Sequence, residues 1–349
     1  MRPFLAAAAL AALLAAGCGG SHSAAIPPAA ASADGDARSI DSTAPKLGSY
    51  KVDLTKTMAS GVSSGGYEAV QLQIAYAKSF HGTAIFAAGP FYCAEDSETI
   101  ALDDCTENYG PTNLPTLEQE TINTALYGYD DPVADIKGQK SWLFSGTQDT
   151  TVYSSIVKDL NTYLKYFGVT TSTNFTTAAG HAWISPDGTT ACGTTASPYI
   201  NTCGFDAEQT FLTYLYGTLT ARRVGALTGT LKTFSQNEFL PGGNAAAYDM
   251  DSTGYVYVPA SCAAGTTCKI MVALHGCAQG ASMVGTSFVT NSGLNEWADT
   301  NNILVLYPQA IASTVNPYGC WDWWGYLSTN YASKSGPQMS AIDAMVTRL

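Results

Sequence analysis

Between a strand-like run over 56–61 and a helix-like run over 65–79 the chain reads Gly61-Val62-Ser63-Ser64-Gly65, and this pentapeptide restricts the fold more than any other stretch. A strand that turns into a helix within three residues brings its own backbone into collision. The residues two before and two after the turning serine must therefore lack side chains. Ser63 meets that condition with Gly61 and Gly65, whereas Ser64 would have Val62 two places before it and is the poorer candidate. Such a turn leaves the serine hydroxyl exposed beside the positive end of the following helix, a place suited to a nucleophile.

The rest of the chain alternates in the same way. Strand-like runs cover 83–88, 141–145, 172–178, 254–259, 269–275 and 303–307, and helix-like runs cover 154–167, 206–216, 293–300 and 338–349. Apolar strands alternating with helices predict an α/β fold with a mostly parallel central sheet flanked by helices. The segment 218–231 reads as a connection between two halves, about 50–220 and 225–349. With 46% hydrophobic and only 13% charged residues the chain can build one large core. The net charge of −12, from 28 acidic and 16 basic residues without a Lys/Arg cluster, argues against a nucleic-acid partner.

A serine hydroxyl attacks only when a base takes its proton. Four histidines are present, so the base can be found by elimination. His22 lies in a small-residue tether, His81 follows the helix after the serine, and His275 closes the apolar strand "MVALHGC". His181 remains, in the loop "TTAAGHAWISPDG" after a strand. An acid must orient it, and Asp149 in "SWLFSGTQDTTV" ends an apolar strand; Asp187 follows His181 too closely, and Asp130, Asp131 and Asp135 precede the strand. Ser63, Asp149 and His181 then fall in the chain order of the α/β-hydrolases. The amide of Ser64 supplies one donor for an oxyanion, and the second is expected from an "HG" loop after an earlier strand. That loop is present as "KIMVALHGCAQG", 269–280, but it follows the serine. The late half reads as the opening of an α/β-hydrolase that stops where the nucleophile strand should begin, and the early half begins with that strand. The expectation is a circularly permuted α/β-hydrolase fold, one sheet built from both halves, performing acyl transfer to water with no metal or organic cofactor.

The N-terminal residues "MRPFLAAAALAALLAAGC" have one positive charge, an apolar stretch and a small-residue end, which predicts a signal peptide over 1–17. "LLAAGC" is similar to a lipobox, making Cys18 a candidate for lipidation and an N-terminal membrane anchor. Residues 18–46, rich in Ala, Ser, Pro and Gly, are expected to form a disordered tether ahead of a single catalytic domain over 47–349. Setting Cys18 aside leaves eight cysteines, and nearness in the chain suggests Cys93–Cys105, Cys192–Cys203 and Cys262–Cys268, leaving Cys277–Cys320. Disulfides require an oxidising compartment, so the protein is expected to be exported, either secreted or held at the cell surface or outer membrane as a lipoprotein. No C-x-x-C occurs, so a zinc site is not expected.

"SGVSSGGYEAVQLQIAYAKSF", "AIFAAGPFYCA", "GTQDTTV", "SPYINTC", "YVYVPASC", "VALHGCAQ", "EWADTNNILVLYPQA" and "GCWDWWGY" together resemble extracellular poly(3-hydroxybutyrate) depolymerases of the single-domain, circularly permuted type. The likeness runs from about residue 50 to the end. It implies a serine esterase acting on a short-chain polyester or its oligomers through an acyl-enzyme, with Ser63, Asp149 and His181 as its triad and the amides of Ser64 and Cys277 as oxyanion donors. It also implies a substrate-groove tryptophan at Trp321 or Trp323; Trp321, Trp323, Trp324 and Tyr326 make an aromatic strip suited to a partly methylated polyester. A monomer is expected. The competing functions are a feruloyl- or acetyl-type carbohydrate esterase and a surface-binding lipoprotein without catalysis.

Overall fold

A computed structural model describes residues 44–349. The expected signal peptide over 1–17, Cys18 and most of the expected tether lie outside the described residues. Eight strands form one sheet: β1 (Val52–Val62), β2 (Gly82–Phe86), β3 (Lys140–Phe144), β4 (Thr170–Asn174), β5 (Thr230–Ser235), β6 (Thr253–Val258), β7 (Cys268–Leu274) and β8 (Ile303–Tyr307). Their order across the sheet is β4-β3-β2-β1-β7-β8-β6-β5. The run from β4 to β8 is parallel, and β6 pairs antiparallel with both β8 and β5. The two halves of the chain meet where β1 pairs with β7, with Met58 opposite Met271 and Gly61 opposite Leu274. Numbered from residue 230 to the C-terminus and then from 52 onward, the strands take the places 1-2-4-3-5-6-7-8. The chain is thus a permuted α/β-hydrolase-like sheet.

Both faces are apolar because both are covered, as parallel sheets require. Ile270, Val272 and Leu274 of β7 point to one side, with Leu304 and Leu306 of β8 and Ile85 of β2. Met271 and Ala273 point to the other, with Val305, Phe86 and Trp142. The first side is packed by α1 (Ser64–Ala75), α3 (Ser154–Tyr166) and α6 (Pro337–Arg348), through residues such as Leu72, Leu160 and Ile342. The second is packed by α4 (Ala207–Tyr216) and α5 (Leu294–Asn301), through Phe211 and Trp297. A further helix, α2 (Leu114–Leu126), rests on α3, where Thr121 and Tyr163 hydroxyls are 2.6 Å apart.

Three boundaries differ from the sequence reading. The strand expected over 172–178 is Thr170–Asn174, and the remaining residues turn back toward the sheet edge as a loop. The end of the expected connection enters the sheet as the edge strand β5, whose only buried residue is Phe234 and which therefore reads as polar. The ordered chain starts before residue 47, since the Pro45 carbonyl accepts a hydrogen bond from the Ser235 amide at 2.8 Å.

The connection itself is pinned by Asp299 of α5. Its carboxylate accepts from Arg223 Nε (2.8 Å), the Gly229 amide (2.8 Å) and the Tyr257 hydroxyl (2.6 Å). Burial pushes the Asp299 pKa up, but those donors and Thr228 together bring it down to about 2. The other ends of the two halves also touch, for the Tyr50 amide donates to the Leu349 carbonyl. Joining Leu349 to Ala44 by a flexible linker, which keeps Pro45 and the buried Leu47, and opening the chain between Val224 and Gly225, both exposed, should restore the unpermuted order without breaking a strand. The expected outcome is one cooperative thermal transition within about 10 °C of the parent, read by circular dichroism.

Candidate active site

The parallel strands deliver every candidate residue to one edge of the sheet. Ser63 follows β1, Asp149 lies in the loop after β3, His181 in the loop after β4, and Cys277 in the loop after β7. The carboxyl edge of parallel strands is where such folds place their ligands.

Ser63 has φ 56° and ψ −126°, a backbone state that costs a non-glycine residue about 1–3 kcal/mol. The surroundings enforce it. A Cβ on Gly61 would lie 2.0 Å from the Gly65 carbonyl oxygen, and a Cβ on Gly65 would lie 2.4 Å from the carbonyl oxygens of both Leu274 and His275. The Ser63 amide donates to Phe86 O at 2.9 Å and its carbonyl accepts from Tyr67 N at 3.0 Å. Ser63 stands at the N-cap of α1, yet its hydroxyl makes no capping bond.

His181 and Asp149 are hydrogen-bonded, Nδ1 to Oδ2, at 2.8 Å. The other carboxylate oxygen accepts the amides of Thr151 and Val152, each at 2.9 Å. With its side chain 1% exposed, Asp149 is fixed from both ends, while the imidazole keeps 10% exposure. A carboxylate on Nδ1 fixes the tautomer so that Nε2 carries the basic lone pair. The histidine loop is pinned in turn: the His181 amide donates to Thr195 Oγ1 (2.9 Å), and Gln148 N donates to the Ala179 carbonyl (3.0 Å). Among the described residues no hydrogen bond joins Ser63 Oγ to His181, a contact that hydrolases often complete only around bound substrate.

Across β1 the "HG" loop packs against the serine; a Cβ on Gly276 would be 3.3 Å from Ser63 Cβ. His275 is wholly buried, and burial pushes its pKa down to about 4, so the ring is neutral. Its Nε2 accepts from the Ala310 amide (3.0 Å), so Nδ1 carries the hydrogen and donates to the Gly276 carbonyl (2.8 Å). A trans peptide sets its carbonyl and its N–H on opposite sides. Holding the Gly276 carbonyl therefore aims the Cys277 N–H the other way. The flanking amides are committed, Gly276 to Gln279 Oε1 (2.7 Å) and Ala278 to the Tyr318 carbonyl (2.6 Å).

The four disulfides join Cys93–Cys105, Cys192–Cys203, Cys262–Cys268 and Cys277–Cys320. The last ties the "HG" loop to the aromatic strip. Within that strip Trp321 has no exposed surface; its indole N–H donates to the His275 carbonyl (3.0 Å) and its ring lies against the His275 ring. Trp321 therefore packs beneath the loop, whereas the sequence reading offered Trp321 or Trp323 as the substrate-groove tryptophan. Trp323, 6% exposed, stacks on Tyr67 at 4.0 Å between centroids, with the half-buried Trp324 and Tyr326 outside it. Sequence reasoning assigns nothing to Gln279, although it lies inside the "HGCAQG" motif. Among the described residues no group of His, Cys, Asp and Glu side chains is arranged to hold a metal.

No family model matches the chain. It is 45% identical over 311 residues to a poly(3-hydroxybutyrate) depolymerase of Delftia acidovorans, covering 87% of this chain and 61% of that longer protein. It is 36% identical over 323 residues to a polyhydroxybutyrate depolymerase of Talaromyces funiculosus, covering 87% of this chain and 92% of that one. The crystal structure of PHB depolymerase from Penicillium funiculosum superposes with a TM-score of 0.80 at 36% identity, covering 87% of this chain and 98% of that one. A serine-to-alanine PHB depolymerase complexed with R3HB trimer matches equally well.

The elbow's geometry makes a sharp prediction. Gly65→Ala should lower stability by about 3 kcal/mol, the upper end of the usual overpacking cost, because the clash is with backbone at the end of a central strand and no side chain can yield. Denaturant titration would read the shift, and Gly276→Ala, whose nearest neighbour would be the Val62 carbonyl oxygen at 3.2 Å, should cost less.

Proposed function

The chain belongs to the poly(3-hydroxybutyrate) depolymerase family, and from that premise we propose that it hydrolyses ester bonds of poly(3-hydroxybutyrate) or its oligomers through an acyl-enzyme on Ser63. The observation that carries this reading is the buried 2.8 Å bond between His181 and Asp149, at the sheet edge that also bears the strained serine.

His181 Nε2 takes the Ser63 proton as Oγ attacks the ester carbonyl, and Asp149 stabilises the imidazolium that results. The amides of Ser64 and Cys277 receive the oxyanion; the first stands at the N-terminus of α1, where the helix dipole adds to the attraction. His181 then gives its proton to the leaving alcohol, a 3-hydroxybutyrate end, and activates the water that releases the acyl group. The half-buried rings of Trp324 and Tyr326, backed by Trp323 where it stacks on Tyr67, offer an apolar wall to the polyester. The four disulfides fit a protein exported to an oxidising compartment. Lipid attachment at Cys18 rests on the "LLAAGC" sequence alone. The domain works as a single copy in this reading, because every proposed catalytic group comes from one chain.

Two substitutions test the assignment. Ser63→Ala should lose turnover of 3-hydroxybutyrate oligomers by about 10³-fold or more and lose labelling by a fluorophosphonate, with an unchanged circular dichroism spectrum. Wild-type turnover in that variant would defeat the assignment. Asp149→Asn keeps the shape but reverses the hydrogen-bonding sense at Nδ1, so kcat should fall by about 10³–10⁴-fold with little change in KM.

A further inference from the structure

Gln279 is buried and spends its whole side-chain amide on backbone. Its Oε1 accepts the Gly276 amide at 2.7 Å, and its Nε2 donates to the carbonyls of Pro198 (3.1 Å) and Tyr199 (2.9 Å). The Tyr199 carbonyl also accepts the Trp183 amide at 3.0 Å, two residues after His181, where Trp183–Ile184 pairs with Ile200–Thr202. One side chain thus joins the loop bearing Cys277 to the segment that holds the histidine loop, and the two come from opposite halves of the chain.

We propose that Gln279 is a positioning residue that fixes the distance between the oxyanion amide of Cys277 and the base His181. The proposal rests on the roles given above to Ser63, His181 and Cys277. The chemistry selects glutamine. The position needs one acceptor and two donors on a planar group, and neither glutamate, lysine nor methionine supplies that set. The consequence is kinetic more than structural. An oxyanion donor stabilises the transition state only when it stands about 2.7–3.1 Å from the tetrahedral oxygen, and the ground-state ester makes little use of it. Loosening the clamp should therefore lower kcat and leave KM nearly alone.

The test uses Gln279→Met, which removes all three bonds at similar size, and Gln279→Glu, which keeps the acceptor for Gly276 and loses both donors. Steady-state hydrolysis of a soluble 3-hydroxybutyrate oligomer should show kcat reduced about 10–100-fold and KM within about twofold of the parent. Inhibition by an alkyl boronic acid, which forms a tetrahedral adduct on the serine, should weaken by the factor by which kcat/KM falls. If Gln279→Met does not fold, Gln279→Glu decides. A lowered melting temperature with parental kcat overturns the proposal, as does a raised KM with parental kcat. Ser63→Ala separates this from the wider assignment. An inactive Ser63→Ala beside fully active Gln279 variants overturns the clamp alone, whereas an active Ser63→Ala overturns the site on which it rests.

Discussion

Met58 to Gly61 run beside Met271 to Leu274 in parallel register, and the site depends on that pairing. It sets the turn after β1 against the loop after β7 so closely that Gly65 has the carbonyls of Leu274 and His275 where a side chain would be. The contact sets the start of α1, with the Ser64 amide, beside the "HG" loop that carries Cys277, the two amides proposed above as oxyanion donors. It also supplies the steric wall that holds Ser63 at positive φ. The backbone strain at Ser63 and the proposed oxyanion site thus have one cause, and a separation of the halves would remove both.

The electrostatics of that corner follow from burial. Glu68 stands four residues after Ser64, on the same side of α1, and is wholly buried. An ionised carboxylate there would oppose the negative charge that develops on the substrate oxygen. Burial pushes its pKa well above the usual carboxylate range, and the nearby Asp322 pushes in the same direction, both favouring the uncharged acid. Asp322 carries the loop of the aromatic strip, accepting the amides of Gly325, Tyr326 and Leu327, and burial lifts it to about 7 against their pull. His275 is neutral for the same reason, and its two ring nitrogens are both spent on backbone groups as a hydrogen-bonding brace.

What could be read from the sequence were the features that one segment carries by itself. Gly61 and Gly65 around Ser63 announce a tight turn because the clash they avoid is local. The apolar runs of β7 and β8 announce buried strands because both sheet faces are covered. The pairing of His181 with Asp149 could be reached by elimination because only four histidines exist. The parts not legible depend on a distant partner. β5 shows one buried residue and becomes a strand only by pairing with β6. α2 buries little beyond Leu117 and Thr121, so its apolar stripe is thin. Trp321 and Trp323 are neighbours in the same motif, but Trp321 turns onto His275 and Trp323 onto Tyr67. Gln279 is an unremarkable polar residue until Pro198 and Tyr199 arrive from the other half.

The permutation costs the site little because both altered connections lie away from it. Tyr50 meets Leu349 at the start of β1, and Ser63 follows the end of that strand, eleven residues on. At about 3.3 Å per residue the two are on the order of 30 Å apart. The connection between the halves enters β5, which is antiparallel to β6, itself antiparallel to β8; β5 therefore runs with the parallel strands and begins at the same remote edge. Cutting and rejoining a chain there changes which contacts are local and slows or speeds their formation, but it leaves the carboxyl edge as it was. The bonds that cross between the halves at that edge do the aligning: the β1–β7 ladder, and Gln279 on Pro198 and Tyr199.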